Sequence, residues 1–260
     1  MSVGFCKLCN ENKDLQKSHA IGAAIFRKIL RADDGKAVEV ANNDKYISYS
    51  SDSWAEYQLC SDCEGYLNSS YEQYSLLLLR GKKGEFSKTN HEVSFSHIDQ
   101  FILNHYLLSI LWRSANSNHN AYSQITLSKI ENERLRLALL NKKTVPHKEL
   151  SILCSRLTDN TEENGFSDKQ LKEIIISPFS KKETINNKIK STFTFIFEGF
   201  MFKYITPGLT YRERQTSGII NKEEKKLLIP YIDVFAIPEL VDIMIHAYKN
   251  NHENRSNIKN

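Results

Sequence analysis

Four cysteines stand in two Cys-x-x-Cys pairs, Cys6 with Cys9 and Cys60 with Cys63. Each pair is a geometric unit, because a tight knuckle sets two thiolates within reach of one tetrahedral Zn²⁺ at ~2.3 Å, and two knuckles complete its ligand set. Lys7 beside the first pair and a helix start expected at the second both favour thiolate over thiol. The long spacing from Cys9 to Cys60 implies an insertion between the halves. Two other readings compete: four unrelated thiols in a reducing compartment, or a redox pair of thioredoxin type. A redox pair should follow a parallel strand in a βαβ unit, and this region has neither that pattern nor a use for a second pair. Structural zinc on Cys6, Cys9, Cys60 and Cys63 is therefore the expectation, with its binding energy serving as folding energy. The fifth cysteine, Cys154, lies in the alternating stretch ELSILCSRL and reads as a buried, inert thiol on a strand.

The elements that must position this chemistry follow from periodicity. Ile21, Ile25, Ile29 and Leu30 share a helical face, although Gly22 weakens the start. Residues 36–58 read as strands and loops carrying Tyr46, Tyr49, Trp54 and Tyr57. A helix begins near Asp62, the expected cap, and runs through CEGYLNSSYEQYSLLLLR. GKKGEFSKTN, from residue 81, reads as a linker or surface loop. SHIDQFILNHYLLSILWRSA is a helix apolar on most of its surface, hence buried, and a further helix spans about 127–142 with Ser128 near its start. Alternating phenylalanines on either side of Glu198-Gly199 predict a β-hairpin over STFTFIFEGFMFKYI with its phenylalanines on one buried face. A strand around LLIPYIDVF, a last helix from Pro238 to about Tyr248 and a mobile polar tail complete the chain.

Hydrophobic and charged fractions of 40% and 25% are those of an ordinary globular protein, and the 260 residues suffice for a proper core, so zinc is not needed for want of one. The start of the chain has no secretory signal pattern, and no apolar run reaches the ~20 residues of a membrane helix, so the cytoplasm is the expected address and no membrane the expected partner. A net charge of +4 is compatible with nucleic acid but does not point to it.

The order Cys6-x-x-Cys9, Lys17-Ser18-His19-Ala20-Ile21 and Leu59-Cys60-Ser61-Asp62-Cys63-Glu64 resembles the zinc-bearing HNH endonucleases. KSHAI before CSDCEGYLNSSYE, followed by LLSILWRSA and FEGF, is similar to an uncharacterised bacterial HNH-like group. The resemblance implies an α+β chain: a treble-clef, ββα-metal domain over residues 1–90, then a mixed helical and antiparallel β recognition domain over 91–260. It implies metal-dependent hydrolysis of DNA phosphodiesters, with His19 as the base that activates water and a hard cation, Mg²⁺ or Mn²⁺, that neutralises the phosphate. Glu64, Asn68 and Glu72, spaced i, i+4, i+8 and so near one helical face, are the expected oxygen ligands. Ser18 stands where the family carries an acidic ligand, and Glu64 where it carries His or Asn. The alternative is a catalytically inactive zinc module that binds nucleic acid or a partner protein. In that case His19 is a packed histidine, and Glu64 and Glu72 serve the helix dipole. The resemblance also implies a place in bacterial defence against phage.

Other residues carry weaker expectations. His97 and His105 read as core or surface histidines. Trp112 reads as packing, while Arg113 is left between a phosphate contact and pairing with an acid. The lysine pairs at 82–83, 142–143 and 181–182, with Lys188 and Lys190, could together face a nucleic-acid backbone.

Overall fold

A computed structural model describes residues 2–32, 37–40 and 47–252. Tyr46 and the tail from residue 253 lie outside the described residues, as does the side chain of Tyr49.

The N-terminal part opens with a hairpin of β1 (Ser2–Phe5) and β2 (Asn12–His19), whose turn carries the first cysteine pair. Helix α1 (Ala23–Ala32) follows, then the two-stranded pair β3 (Ala37–Val40) and β4 (Ile47–Ser50), then β5 (Ala55–Cys60), which pairs antiparallel with β2 to give the order β1-β2-β5. β5 runs straight into α2 (Ser61–Leu67), so Cys60 rather than Asp62 occupies the cap position. A π-helical turn over Asn68–Glu72 joins α2 to α3 (Gln73–Leu79).

Strands β6 (Glu85–Lys88) and β7 (Glu92–Ser96) come next. The stretch read as a linker thus contains an edge strand, made possible by left-handed Gly81 and Gly84 at φ +68° and +69°. The hydrophobic helix is α4 (Gln100–Ala115), capped by Asp99, whose carboxylate accepts from Phe101 N at 3.0 Å and Ile102 N at 3.3 Å. α5 (Lys129–Asn141) starts in a capping box between Ser128 and Glu131.

The remainder builds a mixed sheet. β8 (Ser151–Thr158), α6 (Asp168–Leu171), β9 (Phe179–Ile185), β10 (Lys188–Phe197), β11 (Phe200–Thr206), β12 (Leu227–Asp233) and α7 (Pro238–His252) follow in turn, and the seven strands order as β6-β7-β12-β8-β11-β10-β9. Among the described residues only β8 and β12 pair in parallel. The expected hairpin forms: Phe197 faces Phe200, and Glu198 and Gly199 take φ +52° and +74°, the left-handed pair of a two-residue turn. Its burial is not one-sided, however. Phe193, Phe195, Phe197, Phe200, Phe202 and Tyr204 face the main core, while Ile196 and Met201 pack on the opposite face with Leu157, Phe179 and Leu240 of α7. Alternation marked the two faces of β10, but α7 covers the second.

The main apolar cluster draws on residues from Cys6 to Ile229, so the cysteine-knuckle region and the sheet share one core, with α4 between them. Tyr204 of β11 donates to the carbonyl of Leu107 in α4 at 2.9 Å, deep in that contact.

Candidate metal centre and the histidine beside it

The first knuckle is shaped by backbone bonds: Cys6 N donates to Glu11 O and Asn10 N to Cys6 O, both at 2.9 Å, with Asn10 left-handed at φ +61°. Lys7 N to Gln58 O at 2.9 Å ties it to β5, and Arg136 of α5 donates to Leu8 O at 2.6 Å from the other side. The second knuckle is the β5–α2 junction. Cys60 N donates to Cys6 Sγ at 3.3 Å, and the four sulfurs of Cys6, Cys9, Cys60 and Cys63 lie within 4.8 Å of one another. Tetrahedral Zn–S bonds of ~2.3 Å set sulfurs about 3.8 Å apart, so the donor set fits a metal such as zinc. Burial opposes ionisation of Cys6, but the N–H groups of Cys60, Cys9 and Leu8 outweigh it and bring that thiol to about 7. Cys9 and Cys63 are pushed up, chiefly by burial. Metal uptake by such a set must therefore release protons. Cys154 lies apart, fully buried on β8, with burial driving its pKa up, as an inert thiol requires.

The same junction positions the second set of residues. The β2–β5 register slips between Gln16 and Lys17, where Gln58 of β5 is the extra residue, and beyond the slip Ser18 lies inward, 2% exposed, while His19 is half-buried opposite Ala55. Ser18 Oγ donates to Glu64 Oε2 at 2.8 Å. Arg113, 1% exposed near the end of α4, reaches both oxygens of Glu64 at 2.6 Å. His19 Nε2 meets Ser53 Oγ at 3.0 Å. Burial, and then the charge of Arg113, hold the imidazole below its ordinary 6.5, with Glu64 opposing them. Near neutral pH the ring is therefore uncharged, as a base must be.

The π turn changes which acids face each other. In a regular α-helix a residue eight places on is rotated by about 80°, whereas one residue absorbed in a π turn reduces this to about 20°. Glu64 and Glu72 consequently look into one region, and both interact electrostatically with Arg113. Asn68, inside the turn, is exposed, so the three-residue stripe expected of an unbroken helix does not form. Burial raises the Glu72 pKa, with Arg113 pulling it down and Glu64 pushing it up. Gly22, which weakened the helix reading, has its reason here: a Cβ at that position would lie 2.7 Å from Glu72 Cδ.

As arranged, these groups do not fit a hard cation. Arg113 covers both oxygens of Glu64, and among the described residues only the cysteine quartet gathers three or more His, Cys, Asp or Glu ligand atoms within 4.8 Å. The cation facing Glu64 is a guanidinium. Sequence reasoning left Arg113 open between two roles, and the structure assigns it an acid. It missed Ser18 as a donor and Arg27, an exposed cation whose charge reaches both His19 and Glu72. Trp112 is buried as expected. His97 pairs with Glu85 at the surface, while His105 is buried between the carbonyls of Phe101 and Lys143 at 3.0 and 3.1 Å.

Comparison with models of known families, with curated proteins and with solved structures finds no match to this chain. No helix among the described residues is long and apolar enough to cross a membrane.

Proposed function

We propose that this chain is an HNH-like nuclease that hydrolyses DNA phosphodiesters, with a structural zinc on a treble clef and His19 as the base. The reading is supported best by one arrangement: a neutral, half-buried imidazole at the end of β2, beside two carboxylates on the helix that starts at the second cysteine knuckle. In this reading His19 takes the proton of the attacking water. Exposed Arg27, whose charge reaches His19, meets the phosphate. Ser18 and Arg113 hold Glu64 in place. The setting would be bacterial defence against phage, where a partner protein could supply the trigger.

The test is cleavage of plasmid and linear DNA by the zinc-loaded chain, with Mg²⁺, with Mn²⁺ and with neither. The reading expects cleavage that His19→Ala abolishes while DNA binding is retained. A dependence on Mg²⁺ or Mn²⁺ would mean that Glu64 exchanges Arg113 for a cation. No cleavage under any of these conditions refutes the reading.

A second reading, a zinc module that binds nucleic acid or a partner protein without turnover, is favoured by the Arg113–Glu64 pair itself. A carboxylate already held at 2.6 Å by a buried guanidinium has its charge satisfied. DNA binding that falls with salt, unaccompanied by cleavage, is its expected signature.

A further inference from the structure

Away from His19, basic side chains from both parts of the chain converge on the β10–β11 turn. Glu198, 1% exposed, accepts from Lys28 Nζ of α1 at 3.0 Å and from Arg80 Nε and Nη2 after α3 at 3.0 and 2.6 Å. Arg156 of β8, 3% exposed, donates to the Glu198 carbonyl at 3.1 Å and lies over the Phe200 ring at 4.7 Å. Its other arm is 4.0 Å from Asp168, which also pairs with Lys88. Lys172 closes the group: a Cβ on Gly199 would lie 2.7 Å from Arg156 Nη1 and 3.1 Å from Lys172 Cγ, so both side chains roof the bare glycine.

Four cations thus pair with two carboxylates, Glu198 and Asp168, and Lys172 stands beside them as a fifth. Anchoring α1 and α3 to the β10–β11 turn does not by itself call for that surplus. Lys28 and Arg80 saturate the side chain of Glu198, and Lys172 has no carboxylate within ion-pair distance among the described residues. Burial, and then the charge of Arg156 with smaller contributions from Lys28 and Lys88, depress the Lys172 pKa, and Asp168, already shared with Lys88 and Arg156, opposes them only in part. The group is continuous with the His19 region, because Arg80 acts on Glu72 as well as on Glu198, and Arg27 precedes Lys28 on α1.

We propose that Lys28, Arg80, Arg156, Lys172 and Lys88 around the Glu198–Gly199 turn form a phosphate seat for the backbone of a polynucleotide running on from His19. An arriving phosphate supplies the missing negative charge at the outer ends of these side chains, while the bare glycine lets Arg156 and Lys172 lie close over the turn. The identity of the polymer rests on the nuclease reading. The charge surplus that makes the seat does not.

The experiment is fluorescence-anisotropy titration of the zinc-loaded full chain with a labelled DNA duplex and a labelled single strand, from 50 to 300 mM salt without Mg²⁺ or Mn²⁺. Lys172→Gln and Lys28→Gln are compared with Lys148→Gln, an exposed lysine outside the group. Loss of one phosphate contact lowers the salt slope by about 0.9 and affinity by roughly eightfold at 0.1 M salt. Each seat variant should show this and Lys148→Gln should not, with thermal midpoints confirming that all three fold. Inorganic pyrophosphate is titrated as well, to separate a free anion from a polymer backbone. Unchanged slope and affinity in both seat variants, no DNA binding by the wild type, or seat variants that lose pyrophosphate but keep DNA overturn the proposal. Binding through Lys28 and Lys172 without cleavage would sink the nuclease reading and leave the seat standing. Cleavage that ignores Lys172 and Lys28 would do the reverse.

Discussion

Replacing Arg113 by Met removes the guanidinium from Glu64 while keeping most of the side-chain volume in the core. Glu64 then loses two contacts at 2.6 Å and keeps the Ser18 hydroxyl at 2.8 Å. Breaking a buried ion pair by removing one partner costs about 3–5 kcal/mol, because the survivor is left as an uncompensated charge. The Glu64 side chain is 29% exposed against 2% for Arg113, so water can replace part of the loss and the lower end, about 3 kcal/mol, is expected. With an unfolding entropy of about 2.1 cal/mol/K per residue over 260 residues, this lowers the thermal midpoint by about 5 °C. The double variant Arg113→Met/Glu64→Gln removes the stranded charge and should recover about 2 kcal/mol relative to the sum of the single variants. Calorimetry and urea unfolding of the four proteins measure both quantities. The single variant also exposes Glu64 to added Mn²⁺, which should raise its midpoint but not that of the wild type. A midpoint within 1 °C of wild type for Arg113→Met, or strictly additive single variants, would show that the pair does not hold this junction together (about 2 °C corresponds to 1 kcal/mol here).

Zinc-loaded protein should release one equivalent of metal per chain to a strong chelator and unfold as it does so, whereas Cys154→Ser keeps its metal; metal analysis with circular dichroism checks both. Gly22→Ala should cost no more than about 1 kcal/mol, because its methyl meets only the carboxylate end of Glu72, which must swing aside, while Gly65→Ala, with nothing within 4 Å of the new Cβ, should stabilise α2 by about 0.5–1 kcal/mol; urea midpoints separate the two. Burial holds His19, His105 and His147 below 6.5 in the folded protein, at His105 despite two carbonyl acceptors. The unfolded chain therefore takes up these protons first as pH falls. Stability contributed by the neutral rings is present above about 6.5 and declines below it, so urea midpoints should drop between pH 7.5 and 5.5. A midpoint that holds steady or rises over that interval contradicts the burial argument.

What the chain determines by itself is what short spacing can encode. Two Cys-x-x-Cys pairs specify two knuckles, Ser128 specifies the start of α5, and Glu198-Gly199 between alternating aromatics specifies a hairpin, since each depends on residues within a few places of one another. The tertiary structure decided everything that depends on distant partners. Nothing near Glu64 announces that its counter-ion is Arg113 on another helix, or that Ser18 supplies the second contact across a sheet. The π turn has no period that can be read in advance, yet it brings Glu72 round toward the region of Glu64. Long-range packing likewise sets β6 and β7 in the large sheet and joins α4 to the knuckle region through one continuous apolar core.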